Sequence, residues 1–332
     1  MQQASIDDVV QRAEKKCAPK IKKASQVSMH TKKSMTTTSL FSWFFTEAAI
    51  TALSEGAKES SVLPPRRRYY TWRPDLKDLR DHLLAFGGDE KPPQLASVDL
   101  RSKLPPVYEQ AALGGGCVSN AIAAAYEYEE MRQSKCAEKN FVPSRLFLHY
   151  IERYEERHEE KDVLKDHGAS LRDSLKSICK QGVCSETMWP YRTENFARKP
   201  DAECYKTALQ HRAIEYKALS QNLDQLRQCL ACGLPFIFGF AVYASFESPK
   251  VAKTGVMSMP TPDDKLLGGH AVLAVGYDDV SQTFCVRNSW GSEWGDAGYF
   301  YMPYEYILTP QLASNFWVLQ KVCGDEEAQC QK

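Results

Sequence analysis

Apolar and polar positions follow two different rhythms along this chain. From Cys117 to Gln133 (CVSNAIAAAYEYEEMRQ) the sequence is Ala-rich, and apolar residues return at helical intervals, which predicts a long, partly buried helix. Pro143–Glu160 and Ala169–Gln181 predict two more helices. Further on the pattern changes. LPFIFGFAVY (Leu234–Tyr243), HAVLAVGYDD (His270–Asp279), TFCVRNSW (Thr283–Trp290) and YFYMP (Tyr299–Pro303) are β-rich runs separated by Gly, Asp and Ser turns. Helices first and antiparallel strands second predict an α+β protein of two lobes, helical over about 108–205 and β-rich over about 206–320. No internal repeat is visible.

The chain before this pattern is different in kind. Residues 1–65 are polar, rich in Ser, Thr and Lys, and weakly periodic, so disorder or order induced by a partner is the default expectation. Leu40–Leu53 (LFSWFFTEAAITAL) is interrupted by Glu47 and too short to span a bilayer, and reads as an amphipathic helix that docks on the main domain. Pro64-Pro65 and Arg66-Arg67-Arg68 mark a break. Tyr69–Phe86 then reads as a docking segment, with Asp75 or Asp78 able to cap a helix. The expected organisation is a basic leader over 1–90, a domain over 91–320 and a polar tail over 321–332.

Composition adds limits. Hydrophobic content of 43% and charged content of 25% are ordinary for a globular chain. Net charge is zero, which gives no reason to expect nucleic acid as a partner. The leader carries the positive excess: residues 1–70 hold twelve Lys and Arg against six Asp and Glu, leaving thirty against thirty-six. The start has no apolar stretch of signal-peptide type, so a cytoplasmic or particle-associated protein is expected. Eleven cysteines, an odd number, then argue for mostly reduced thiols rather than a disulfide framework.

Three pieces carry candidate chemistry. Gly114-Gly115-Gly116-Cys117 opens the long helix, and a thiol in a first helical turn meets the positive end of the macrodipole, which favours the thiolate. GGHAVLAVGYDD places His270 after two glycines at the head of an apolar strand, where its ring is expected near the surface of a cleft. VRNSWGSEWGDAGYF places Asn288 at a strand end, followed by Trp290 and Trp294. An Asn amide can accept the far N–H of an imidazole and so fix its tautomer, and Trp290 can shield that bond from water. A cysteine beside an imidazole is sufficient for nucleophilic catalysis.

With these pieces, the segment from about Val98 to Leu319 resembles the papain-like cysteine peptidases, and more closely their microbial and large-virus branch. The resemblance is carried by PPVYEQ (Pro105–Gln110), GGGCVSNA (Gly114–Ala121), PSRLF (Pro143–Phe147), HGASLRDSLKS (His167–Ser177), LLGGHAVLAVGYDD (Leu266–Asp279) and NSWGSEWGDAGYF (Asn288–Phe300). It implies a cleft between the two lobes, Cys117 as nucleophile, His270 as general base and acid, and Asn288 orienting it. It implies that Gln110 and the backbone N–H of Cys117 bind the oxyanion, and that Gly168 pairs with an extended polypeptide substrate. Gly115, Gly116, His167, Gly269 and Trp290 are the further residues it places against substrate. No metal or organic cofactor is implied. His270 lies 153 residues beyond Cys117, close to the roughly 130–150 usual for this family.

The chain departs from the family pattern in places. Val118 stands where an aromatic usually follows the cysteine, Gly116 replaces a small polar residue, and the interval from Gln110 to Cys117 is one residue longer. The leader lacks the common propeptide helix signature, yet its charge and its aromatics Tyr69, Tyr70 and Trp72 suggest that it covers the cleft, with Arg66–Arg68 as a cleavage point. Other features read as structural: Cys229 and Cys232 as thiols in a helix, and Tyr150–Asp162 as a solvated helix face. Two rival functions stay open, a non-catalytic peptide-binding protein and an acyl transferase using the same three residues.

Overall fold

The computed structural model describes residues 70–86, 95–110, 113, 115–133, 141–157 and 168–322. The Leu40–Leu53 helix, Tyr69, the Arg66–Arg68 cluster, His167 and residues 323–332 of the tail therefore lie outside the described residues, whereas Lys321 and Val322, expected in the tail, end the last strand.

The described chain enters at β1 (Ser97–Asp99) and then forms α1 (Cys117–Gln133), α2 (Arg145–Arg157), α3 (Leu171–Gln181) and α4 (Ala202–Ala208). Helix α1 is buried all round from Cys117 to Glu129, because alanines at 121, 123, 124 and 125 let its neighbours approach closely. Helix α3 starts at a Ser170 cap that accepts from Asp173 N. It stops at Gly182, whose φ of 73° suits glycine and whose absent Cβ leaves room for Ala208 O, 1.7 Å from where that atom would stand.

One expectation fails in α2. Glu152 and Arg153, read as part of a solvated face, are buried. Glu152 pairs with His149 Nδ1 at 2.7 Å and accepts from Ser174 Oγ at 3.1 Å; Arg153 donates to His149 O and Phe196 O and stacks over the Phe196 ring. Burial of these charges is tolerated because each finds a partner, which a charge count along the sequence does not reveal.

The second half forms β2 (Ala213–Ala218), α5 (Leu223–Ala231), β3 (Phe236–Tyr243), α6 (Pro249–Thr254), β4 (Leu266–Asp278), β5 (Thr283–Arg287), β6 (Tyr299–Pro303), α7 (Tyr304–Leu308) and β7 (Ala313–Val322). Seven antiparallel strands of the described residues make one sheet in the order β2-β7-β3-β4-β5-β6, with β1 also on β4. An aromatic core of Phe236, Phe238, Phe240, Phe246, Phe284 and Phe300 lies within this lobe. Helix α1 packs against β4, so the two lobes meet along these two elements. Cys229 is a buried thiol of α5 whose Sγ–H donates to Leu234 O, and Cys232 is exposed just after the helix; both are free thiols.

Residues 70–86 form no helix, and neither Asp75 nor Asp78 acts as a cap. Tertiary partners take their place. Asp75 accepts from Arg172 N and Trp317 Nε1, while Arg172 makes a two-bonded ion pair with Asp81 and donates to Leu76 O. Leu84 N donates to Ala218 O, extending the sheet edge at β2. An extended segment satisfies its backbone on the domain surface, which outweighs its local helical pattern.

Candidate active site

Cys117 is the first residue of α1 and is fully buried. The turn before it is closed by Gly116 N donating to Leu113 O, and Gly116 O in turn accepts from Asn120 N, Asn120 Nδ2 and Ser119 Oγ. Asn120 and Ala121, on the turn after Cys117, share a small cavity with Ala271 of β4 and with Asn288 and Ser289. The thiol end of α1 is thereby brought to the His270 stretch of β4.

His270 sits deeper than expected. It is the fifth residue of β4, paired with Phe240 of β3, and only 1% exposed. The reason is that Leu266–Gly269 extends the strand by pairing with the end of β3. Its Nε2–H donates to Asn288 Oδ1 at 2.9 Å, an acceptor that selects this tautomer and leaves Nδ1 for other work. Trp290 stacks on the imidazole with centroids 5.1 Å apart and planes at 25°, and Phe240 closes another side. Trp294 packs edge-on against Trp290. The hydrogen bond is therefore held in an aromatic, low-dielectric shell, which strengthens it.

Gln110 is buried beside this group. Its N donates to Ser289 O at 2.8 Å and its O accepts from Tyr191 Oη at 3.2 Å. Ser289 Oγ–H donates to Gln110 Oε1, which fixes the amide so that its NH₂ faces away from Ser289. Ser289 was not among the residues singled out from sequence, although it directly follows Asn288.

The expected substrate-facing glycines are occupied by the chain's own residues. A Cβ on Gly168 would lie 1.4 Å from Thr71 O, and one on Gly269 would lie 2.5 Å from Trp72 O. Trp72 N donates to Gly269 O at 3.0 Å in a strand-like bridge, and Arg73 donates to Gly168 O at 2.9 Å. Tyr70 lies edge-on to His270 and to Trp290, with centroids 6.1 and 6.2 Å away, and its hydroxyl donates to Glu247. The Trp72 indole fills the space that a side chain on Gly239 would take, 2.0 Å from the ideal Cβ. Gly115 and Gly116 are buried turn residues, and Gly116 has the Tyr191 hydroxyl 3.1 Å from its ideal Cβ.

Among the described residues, burial holds the other thiols above their ordinary range, least of all the exposed Cys232. Burial pushes Cys179 up to about 11 and Cys285 up to about 12, and it raises Cys184, Cys204, Cys229 and Cys232 as well.

A two-lobed α+β fold with a helix-initial cysteine and a histidine–asparagine pair is that of a thiol peptidase family, and comparison with known proteins identifies which one. The profile of the papain family cysteine proteases matches residues 96–315, and the chain belongs to that family. It is 41% identical over 216 residues to an uncharacterized peptidase C1-like protein of Acanthamoeba polyphaga mimivirus, covering 63% of this chain and 68% of that one. A cathepsin B-like protein of Giardia intestinalis is 27% identical over 213 residues, 61% of this chain and 67% of its own length. The crystal structure of xylellain, a cysteine protease from Xylella fastidiosa, superposes with a TM-score of 0.68 at 39% identity, covering 79% of this chain and 99% of that one.

Proposed function

We propose that this papain-family cysteine protease is an endopeptidase that works through a Cys117 thioacyl-enzyme. The observation that carries the reading is the His270–Asn288 hydrogen bond, 2.9 Å long and covered by Trp290, with His270 on β4, the strand against which the cysteine-headed helix α1 packs. The Cys117 thiolate attacks the scissile carbonyl carbon, and the oxyanion that forms is met by the Gln110 side-chain amide and the Cys117 N–H. His270 Nδ1–H protonates the leaving amine. Water then gives its proton to His270 and its oxygen to the acyl carbon, which releases the acid and the free thiol. None of these steps calls on a metal or an organic cofactor.

The leader is read as an inhibitory pro-segment. Tyr70, Thr71 and Trp72 lie on Gly168, Gly268 and Gly269, where an extended polypeptide substrate would pair. A cut at Arg66–Arg68 would leave this stretch attached and in place, so activation needs either displacement of residues 70–86 or cleavage after them.

The test is labelling with an epoxysuccinyl peptide together with hydrolysis of a fluorogenic peptide. Loss of both in Cys117→Ala and in His270→Ala is expected. Full hydrolysis by Cys117→Ala would sink the mechanism. Tight peptide binding without turnover would move the assignment to a peptide-binding protein, and products containing an added amine would move it to an acyl transferase.

A further inference from the structure

Arg145, the first residue of α2, is held in a way that its PSRLF sequence context does not announce. Its guanidinium lies between two tyrosine rings, 4.6 Å from the Tyr108 centroid and 4.2 Å from that of Tyr191. Its Nη2 donates to Glu186 Oε1 at 2.8 Å, and Glu186 also accepts from the backbone N–H groups of Arg145 and Tyr191. The Nη1 group reaches Asn120 Oδ1 at 3.3 Å and Glu109 O at 3.5 Å. The side chain is only 13% exposed, so these contacts are largely screened from water.

Three of these contacts lead to an expected oxyanion donor. Tyr191, stacked beneath the guanidinium, uses its hydroxyl to hold Gln110 O at 3.2 Å, and Glu109 precedes Gln110 in the chain. On the other side, Asn120 accepts from Arg145 and donates from Nδ2 to Gly116 O at 2.7 Å. Gly116 C=O and Cys117 N–H belong to one planar peptide unit, so fixing that carbonyl fixes the direction of the N–H. A single planar cation thus touches the supports of both donors.

We propose that Arg145 is a positioning residue that sets the two oxyanion donors, the Gln110 amide through Tyr191 and Glu109 and the Cys117 N–H through Asn120. This rests on the peptidase reading above. The one-residue-longer Gln110–Cys117 interval makes such a brace useful, because a longer loop has more conformations to exclude. Planarity matters as much as charge: a lysine ammonium can pair with Glu186 but cannot fill the flat slot between two rings while donating to two acceptors.

The test uses the full chain carrying Trp72→Ala, so that the leader competes less with substrate. Peptide turnover is measured together with the rate and pH profile of Cys117 alkylation by iodoacetamide, a reaction that develops no oxyanion. Arg145→Ala should lower kcat by about 30-fold, below the ~10²–10³ of losing one donor outright. KM should change by less than about threefold, and alkylation should be unaltered. In a Gln110→Ala background the same substitution should lower kcat by only about three- to fivefold, the share acting through Asn120. Arg145→Lys should stay close to Arg145→Ala. A full 30-fold loss on top of Gln110→Ala, restoration by lysine, or alkylation falling in parallel with kcat would each overturn the proposal. Should Arg145→Ala fail to fold, Tyr191→Phe removes one hydroxyl and keeps the stack; its kcat loss must likewise shrink in Gln110→Ala. A parent whose cleft is open, with Cys117 labelled by an epoxysuccinyl peptide, but which cleaves no peptide overturns both this proposal and the peptidase reading.

Discussion

Removing the Trp72 indole should open the cleft without unfolding the domain. The side chain is 7% exposed and lies where side chains on Gly239 and Gly269 would stand, so its packing is that of a core residue. Truncating a buried aromatic to alanine typically costs about 3–5 kcal/mol. Part of that is offset here, because Trp72 Nε1 is buried without an acceptor among the described residues, a penalty of about 1–3 kcal/mol that the substitution relieves. A net loss of about 2 kcal/mol falls on the docked leader, which shifts the closed-to-open ratio by roughly 30-fold. The assay is the rate at which an epoxysuccinyl peptide labels Cys117 in the full chain, read by intact mass and peptide mapping. Wild type and Trp72→Ala are compared under conditions where thermal melting shows both folded. Labelling should accelerate by that factor, or until the cleft is open all the time. A folded Trp72→Ala chain labelled within about threefold of wild type would refute the view that this indole holds the leader.

Three further outcomes are expected. At mildly acidic pH, in the Trp72→Ala chain, iodoacetamide should modify Cys117 ahead of Cys179 and Cys285, because burial keeps Cys179 protonated up to about 11 and Cys285 up to about 12; peptide mapping that finds either of these labelled first would contradict this. Asn288→Ala should lower kcat by about 10²-fold or more, with KM little changed, because His270 loses the acceptor that selects its tautomer; unchanged steady-state kinetics would remove Asn288 from the site. Asp75 is raised above its ordinary 3.8, chiefly by burial, so the docked leader binds this proton more tightly than the released one. Its contribution to docking is complete below 3.8 and is lost as pH rises through the raised value, so acid strengthens this contact. Acid-triggered labelling of Cys117 that disappears in Asp75→Asn would contradict that sign.

The β-rich apolar run of Leu234–Tyr243 and the Ala-rich period of Cys117–Gln133 are local properties, and both became the elements they predict. The fold class and the family were legible for the same reason, since the glycine, cysteine, histidine and asparagine motifs are contiguous runs of sequence. Local pattern misled wherever a distant partner decided. The Asp75–Phe86 stretch offers Asp75 and Asp78 as helix caps, yet Arg172, Trp317 and Ala218, nearly a hundred residues or more away along the chain, hold it in a non-helical path. Glu152 and Arg153 look solvated until His149, Ser174 and Phe196 close around them. Sequence by itself determined which residues could form a thiol site and on which elements they stand. Tertiary structure alone decided that His270 is buried within β4, that Ser289 orients Gln110, that Arg145 reaches both supports, and that Trp72 takes the place beside Gly239. Each of these depends on distances between strands and helices far apart in the chain, which packing fixes and no local run of residues encodes.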